Sequence, residues 1–221
     1  MDRKKILSAL IALVLPVALY SMLFWPFNTA PVKSLRINYL TGGISFLISS
    51  VQLAITLFVF IKLRKLSVKK TGLFSFRAGN LLNIISGILL VEVVYILVNI
   101  CLFLIKGSDM QDNQMAIRLD APVWVLAVMM LGVGYCEEFF FRVYMPMSME
   151  EYIGRLAAML ISAVLFALGH LYEGLLAVII IFFIGLIFNF IYCRYRNIHV
   201  NAIVHALFNV IAVILGAYRN V

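Results

Sequence analysis

Charged side chains are scarce in this sequence. Asp, Glu, Lys and Arg make up 13% of its 221 residues, against a hydrophobic share of 64%. A soluble domain carries about 25% charged and about 45–50% apolar residues. So little polar surface cannot cover a water-soluble globule, and a disordered chain would need low hydrophobicity and high charge. Cysteine is sparse too. Cys101, Cys136 and Cys193 are odd in number and scattered in or beside apolar runs, which gives neither a disulfide framework nor a CxxC metal spacing. They read as buried small hydrophobes. The HExxH metal spacing is absent, as are repeats, low-complexity tracts and the short alternating strands of a transmembrane barrel. What remains is a series of continuous apolar runs. The expected fold class is all-α: a polytopic transmembrane helix bundle.

Seven runs fit the ~20 apolar residues that cross ~30 Å of hydrocarbon. They cover 6–25, 39–61, 81–105, 123–147, 156–172, 174–193 and 200–218. The first has a basic start (Arg3, Lys4, Lys5), as a signal peptide would, but it ends in Phe24-Trp25-Pro26-Phe27 without a convincing small-residue cleavage site. It reads as a retained span kinked at Pro16. With the N-terminus in the cytoplasm, thirteen of the eighteen Lys and Arg fall on the cytoplasmic side, six of them in the connector 62–79. That bias follows the positive-inside rule, and it accounts for the net charge of +8 without nucleic acid as a partner. Residues 106–121 read as a polar outer loop, with Asp120 an acidic cap and Pro122 in the first turn of the fourth helix. The chain reads as a single membrane domain over 1–221. A softer division separates spans one to three (1–119) from 120–218, where the unusual polar residues concentrate.

Ionisable groups inside a bilayer are costly and face a protein or water-filled interior. Glu92, Glu137, Glu138, His170 and His205 fall within spans, with the amides Asn189 and Asn209. Glu138 and Arg142 are four apart and share a helix face, so their charges can neutralise each other. Glu137 has no partner at helical spacing. In an apolar setting its pKa would rise toward neutrality, which suits a general base. Alternatively, both glutamates anchor helix packing through Arg142. His205 and Asn209 are also four apart, and such groups can donate hydrogen bonds to an oxyanion. Together these residues place a polar cluster on spans four, five and seven, which a bundle can gather into one pocket. Depth is a constraint. Glu137 and His170 reach a common level only if the fourth helix runs on past Arg142, which makes Arg142 intramembrane. The pocket then opens toward the cytoplasm. Glu92, near Tyr95 and Asn99, reads as a helix contact with a proton relay as the alternative, Cys136 as a packing residue, and Glu150 and Glu151 as solvated. The small residues Ala157, Ala158, Ser162, Ala163 and Ala167 permit close helix approach.

The segments Glu137-Glu138-x-x-x-Arg142, Phe166-x-x-x-His170 and His205-x-x-x-Asn209, in this order on hydrophobic helices, resemble the CAAX-protease and bacteriocin-processing (CPBP, or Abi) family of intramembrane proteases. The likeness covers roughly residues 120–217. Residues 182–197 also look like the family's connecting helix, with Asn189 where a small residue is expected. The resemblance implies hydrolysis of peptide bonds within the membrane. Glu137 with His170 would activate a water, His205 and Asn209 would stabilise the tetrahedral oxyanion, and Glu138 and Arg142 would hold the site in shape. It implies no cofactor. A divalent metal such as zinc on Glu137, His170 and His205 is the alternative, since three protein ligands and a water make a catalytic zinc site. The expected partners are the lipid bilayer and a membrane-associated peptide or protein substrate. The expected location is the plasma membrane, multi-pass. A non-catalytic self-immunity or scaffold protein of the same fold and a proton-coupled transporter are the competing functions. Transport lacks support from inverted repeats or matched broken helices.

Overall fold

The computed structural model describes residues 3–24, 32–73, 75, 77, 79–107 and 116–219. Asp2, Trp25, Pro26, Phe27, Asp109 and Asp112 lie outside the described residues, as do the side chains of Arg3, Lys4, Lys5, Lys70, Lys106 and Arg219. The seven expected spans each correspond to an apolar helix. In chain order the α-helices are α1 (Arg3–Leu23), α2 (Tyr39–Phe58), α3 (Asn80–Lys106), α4 (Val123–Glu138), α5 (Met145–Ile153), α6 (Arg155–Leu168), α7 (Leu175–Tyr195) and α8 (Ile198–Arg219), with α4 and α5 sharing the fourth span. A π-helical stretch, Phe139–Tyr144, joins α4 to α5, so Val123–Ile153 is one continuous helix. Among the described residues five helices are long and apolar enough to cross a membrane: Tyr39–Leu63, Asn80–Ile105, Val123–Ile153, Leu175–Tyr195 and Ile198–Tyr218. Leu7–Leu23 and Arg155–Leu168 are shorter apolar helices. The chain is an integral membrane protein with an all-α helix bundle.

Local chemistry sets the helix ends. Asn38 and Thr41 form a reciprocal capping box that starts α2. Gly154, at φ +80°, makes the sharp turn between α5 and α6, a backbone region that favours glycine. Gly134 has a different task. A Cβ there would lie 2.6 Å from the Ala202 carbonyl oxygen, so α4 and α8 meet backbone to backbone. That close approach carries the helix bearing Glu137 and Glu138 up to the helix bearing His205. The small residues of α6 serve packing within the chain. Ala158, Ser162, Ala163 and Ala167 are buried, and Ala163 faces Gly185 of α7.

Three expectations need correction. The segment before α4 is not all loop. Ala116–Leu119 (β2) pairs in parallel with Ser34–Ile37 (β1), with Ser34 opposite Ala116 and Ile37 opposite Leu119. Asp120 does not cap α4. Its carboxylate pairs instead with Arg36 and, at 2.9 Å, with Arg118, two cations that stand opposite each other in the sheet. The N-cap position is Pro122, which has no side-chain capping bond. Two full charges outcompete a backbone N–H for one carboxylate. Finally, Cys101 is exposed on α3, while Cys136 is buried and Cys193 half-buried; all three are free thiols. A lipid-facing helix hides a small apolar side chain in acyl chains as well as a protein core does.

Candidate active site

The site begins at the π-helical stretch. Its residues, Phe139 to Tyr144, are all buried, and π turns inside α-helices recur at functional sites. Ser162 of α6 donates to the Phe141 carbonyl, tying the widened turn to the neighbouring helix. The rings of Phe139, Phe140 and Phe141 pack against Phe60, Phe24, Tyr20 and Phe166. This aromatic collar surrounds a polar centre.

That centre is Glu138, which is fully buried. Arg142 Nε donates to its Oε2 at 3.1 Å, and Asn201 Nδ2 donates to the same oxygen at 3.0 Å. His205 Nδ1 donates to Oε1 at 2.8 Å. Three donors on one acid are the surroundings of an ionised, acceptor-only carboxylate. The Glu138–Arg142 pair expected from their spacing is therefore formed, and Arg142 is inside the protein at 1% exposure. Nη1 and Nη2 of Arg142 make no hydrogen bond among the described residues. The guanidinium lies over the Phe166 ring at 4.4 Å and near the Phe188 ring at 5.5 Å, so cation–π contacts compensate part of the burial.

His205 links the two glutamates. A carboxylate cannot donate, so the proton of the Glu138–His205 bond resides on Nδ1. Nε2 then faces Glu137 Oε2 at 3.7 Å, too far for a direct hydrogen bond. Phe188 stacks on the imidazole at 4.8 Å with an interplanar angle of 22°, and Phe166 meets it edge-on. The ring is fixed on both faces and at one nitrogen, leaving Nε2 directed at Glu137.

His170 ends α6 rather than lying within it. Its Nδ1 is 2.9 Å from the Phe166 carbonyl, and its ring sits 5.0 Å from the Phe166 ring. Phe166 thus stands between the two histidines. Among the described residues His170 makes no ion pair with Glu137; the imidazole nearest that carboxylate is His205. Asn209, half-buried one turn beyond His205, has no side-chain hydrogen bond to another described residue. Glu137, Glu138, Arg142 and His205 are brought together, while His170 and Asn209 flank them on α6 and α8.

Two residues of the site were not read from the sequence. Asn201 is fully buried and fastens Glu138 to the Phe188 carbonyl, which its Nδ2 reaches at 2.9 Å. It lies four residues before His205, as Asn209 lies four after, so the spacing was available as a signal. Tyr172 stacks on His170 at 6.0 Å and lies within electrostatic reach of Glu137. Nothing in its spacing marks it, since it belongs to the turn after α6. Of the other polar residues, Asn189 is buried and donates to the Met159 carbonyl at 3.0 Å, which pins α7 to α6. Cys136 packs beside Gln52. Glu150 and Glu151 are exposed. No three His, Cys, Asp or Glu side chains among the described residues are grouped so as to hold a metal ion. The set Glu137, His170 and His205 therefore does not form a ready ligand shell.

Residues 119–211 match the family model described as type II CAAX prenyl endopeptidase, Rce1-like. The UPF0177 protein YvdC of Lactococcus lactis subsp. lactis (strain IL1403) is 29% identical over 141 residues, 61% of this chain and 52% of that protein. The chain spans about half the length of this curated relative. No solved structure matches the chain significantly. The matched segment contains Glu137, Glu138, Arg142, His170, His205 and Asn209 together. Over residues 119–211, less than half of its length, the chain is similar to the Rce1-like type II CAAX prenyl endopeptidases.

Proposed function

We propose that this protein is an intramembrane endopeptidase that hydrolyses a peptide bond of a membrane-associated peptide or protein. One observation carries the reading: Glu137, Glu138, Arg142 and His205 converge at the centre of an apolar bundle, inside a segment of the matching family. Burying so many ionisable groups in a bilayer is costly, and packing alone gives no reason for it.

In this mechanism Glu137 is the general base. It is the one carboxylate of the pair not consumed by fixed partners, and its Oε2 has no hydrogen bond among the described residues. With His170 it takes a proton from a water as that water attacks the scissile carbonyl. The carbonyl oxygen becomes the tetrahedral oxyanion, which Asn209 and His205 stabilise. His205 can donate from Nε2 only as an imidazolium, because Nδ1 already donates to Glu138. Glu138 is the counter-ion beside that ring, and Arg142 and Asn201 hold Glu138 in place. The proton then passes to the leaving amine as the C–N bond breaks. No metal takes part in this reading. The distribution of Lys and Arg favours a cytoplasmic N-terminus, and the plasma membrane is the proposed location.

General acid–base catalysis contributes about 10²–10⁴ in rate. Glu137→Gln and His170→Ala, made separately, are each expected to lower cleavage of candidate substrates in membranes by at least about 10²-fold. Unchanged cleavage in both variants would falsify the assignment. Activity lost in chelator and restored by zinc would replace the metal-free base with a metal-bound water.

A further inference from the structure

The strand pair β1–β2 lies at the end of the bundle where α2 and α4 begin and α8 finishes. In a parallel pair, alternate residues direct their N–H and C=O to the partner strand. Ala116 and Asp120 donate to Lys33, just before β1, and to Ile37 at its end, so Ile117 and Leu119 direct their backbone groups to the opposite edge. Among the described residues nothing pairs with that edge. A groove of about 680 Å³ adjoins the sheet, lined by all of β2, by Ser34 of β1, by Val123, and by Ile214, Ala217 and Tyr218 of α8. Ile117 packs so closely on Gly216 that a Cβ there would lie 2.8 Å from its Cδ1, and Leu119 joins the apolar cluster of Ile37, Leu126 and Met130.

We infer that this edge and groove bind an extended peptide as a third strand, with apolar side chains toward α8 and an acidic side chain beside Arg118. Strand addition supplies partners for the unpaired N–H and C=O groups, and the groove takes alternate side chains. A lipid acyl chain would fill the apolar volume and leave those groups unpaired. The charge preference comes from Arg36 and Arg118, exposed and opposite each other with Asp120 shared between them, a net positive patch. A cross-strand acid next to Arg118 is favoured, and a cross-strand lysine is not. The bound segment is the juxtamembrane stretch of a substrate, a statement that rests on the endopeptidase reading; the binding itself does not. β2 leads within four residues into α4, and Glu137 lies ~21 Å along that helix from Val123 at ~1.5 Å per residue. A substrate held here is anchored well away from the bond to be cut.

The test uses the full chain in lipid nanodiscs and a synthetic eight-residue peptide of alternating valine and glutamate. Hydrogen exchange is read at single amides. The peptide is expected to slow exchange at Ile117 and Leu119 at least tenfold and to leave Arg118, already bonded to β1, unchanged. N-methylating the peptide amides of one parity should abolish the protection, and methylating the other parity should not. Arg118→Glu should reverse the preference between this peptide and its lysine counterpart. Glu137→Gln should bind as the wild type does, so a failure of docking is separable from a failure of the catalytic assignment. The inference is overturned if the peptide gives no protection or if the two methylation parities behave alike. Equal protection from anionic phospholipid without peptide also overturns it, in favour of a lipid site.

Discussion

α3 and α4 are both apolar and long enough to cross a bilayer, yet they hold their acidic residues in opposite ways. In α4 and its continuation 44% of the most apolar stretch is buried inside the protein, and in α3 only 6%. Glu138 on α4 receives three hydrogen bonds from three other side chains. Glu92 on α3 has a buried Oε1 with no hydrogen bond among the described residues. An ionisable side chain in a membrane helix is therefore organised by the neighbours its helix can reach, more than by its own depth. α4 packs against α2 and α8, and its π-helical continuation meets α6. Among the described residues α3 packs mainly against α7 and α8, and most of its apolar surface is exposed. The proposed mechanism uses the first glutamate and gives no role to the second.

The sharpest way to break the contrast is to remove one member of the α4 network. Arg142→Ala leaves Glu138 buried without its guanidinium partner. Breaking a buried ion pair from one side costs about 3–5 kcal/mol. The variant is expected to unfold at markedly lower temperature in detergent and to lose cleavage. A small change in thermal midpoint would mean that Asn201 and His205 alone satisfy the carboxylate, and that Arg142 serves only the reaction.

Glu92→Gln tests the other half of the comparison, and the expected effect is much smaller. With no hydrogen bond to lose, the change should alter stability by no more than about 0.5 kcal/mol, as for substitutions away from packed features. Cleavage should persist at the wild-type rate. Proton flux in proteoliposomes that vanishes with this variant would overturn the reading of Glu92 as a helix contact and favour transport.

Much of this architecture was legible from the sequence, for physical reasons that differ by element. The spans were legible because a bilayer demands about 20 apolar residues from each crossing helix, whatever its neighbours. The Glu138–Arg142 pair was legible because both partners lie on one helix, four residues apart. The extension of α4 past Arg142 followed from the level that Glu137 had to share with His170. What escaped depends on residues distant in the chain. β1 and β2 are four residues each, too short for alternation to register, and they meet across 82 positions. The role of Asp120 was misread because Arg36, 84 residues earlier, competes for the carboxylate that the local sequence offers to α4. The π turn was invisible because it is stabilised from outside, by Ser162 and the aromatic collar. Asn201 escaped although its spacing to His205 equals that of Asn209.

The sheet is also where the two halves of the chain are joined by charge, and it gives the smallest predicted effect. The Arg118 and Arg36 guanidinium groups hold the Asp120 carboxyl below the usual carboxylate range. A depressed folded-state pKa means that the contribution of this cluster is complete above the ordinary Asp value of about 3.9 and is lost as pH falls through the folded value. Acidification from pH 6 to about pH 3 should therefore loosen the sheet alone. Exchange at the Ala116 and Asp120 amides, corrected for the intrinsic pH dependence, should rise while the amides around Glu138 stay protected. Asp120→Asn should abolish the pH dependence. If the first-turn amides of α4 responded instead, Asp120 would be acting as the helix cap that its position in the sequence suggests. The two halves would then be held together at this end by strand pairing rather than by the shared carboxylate.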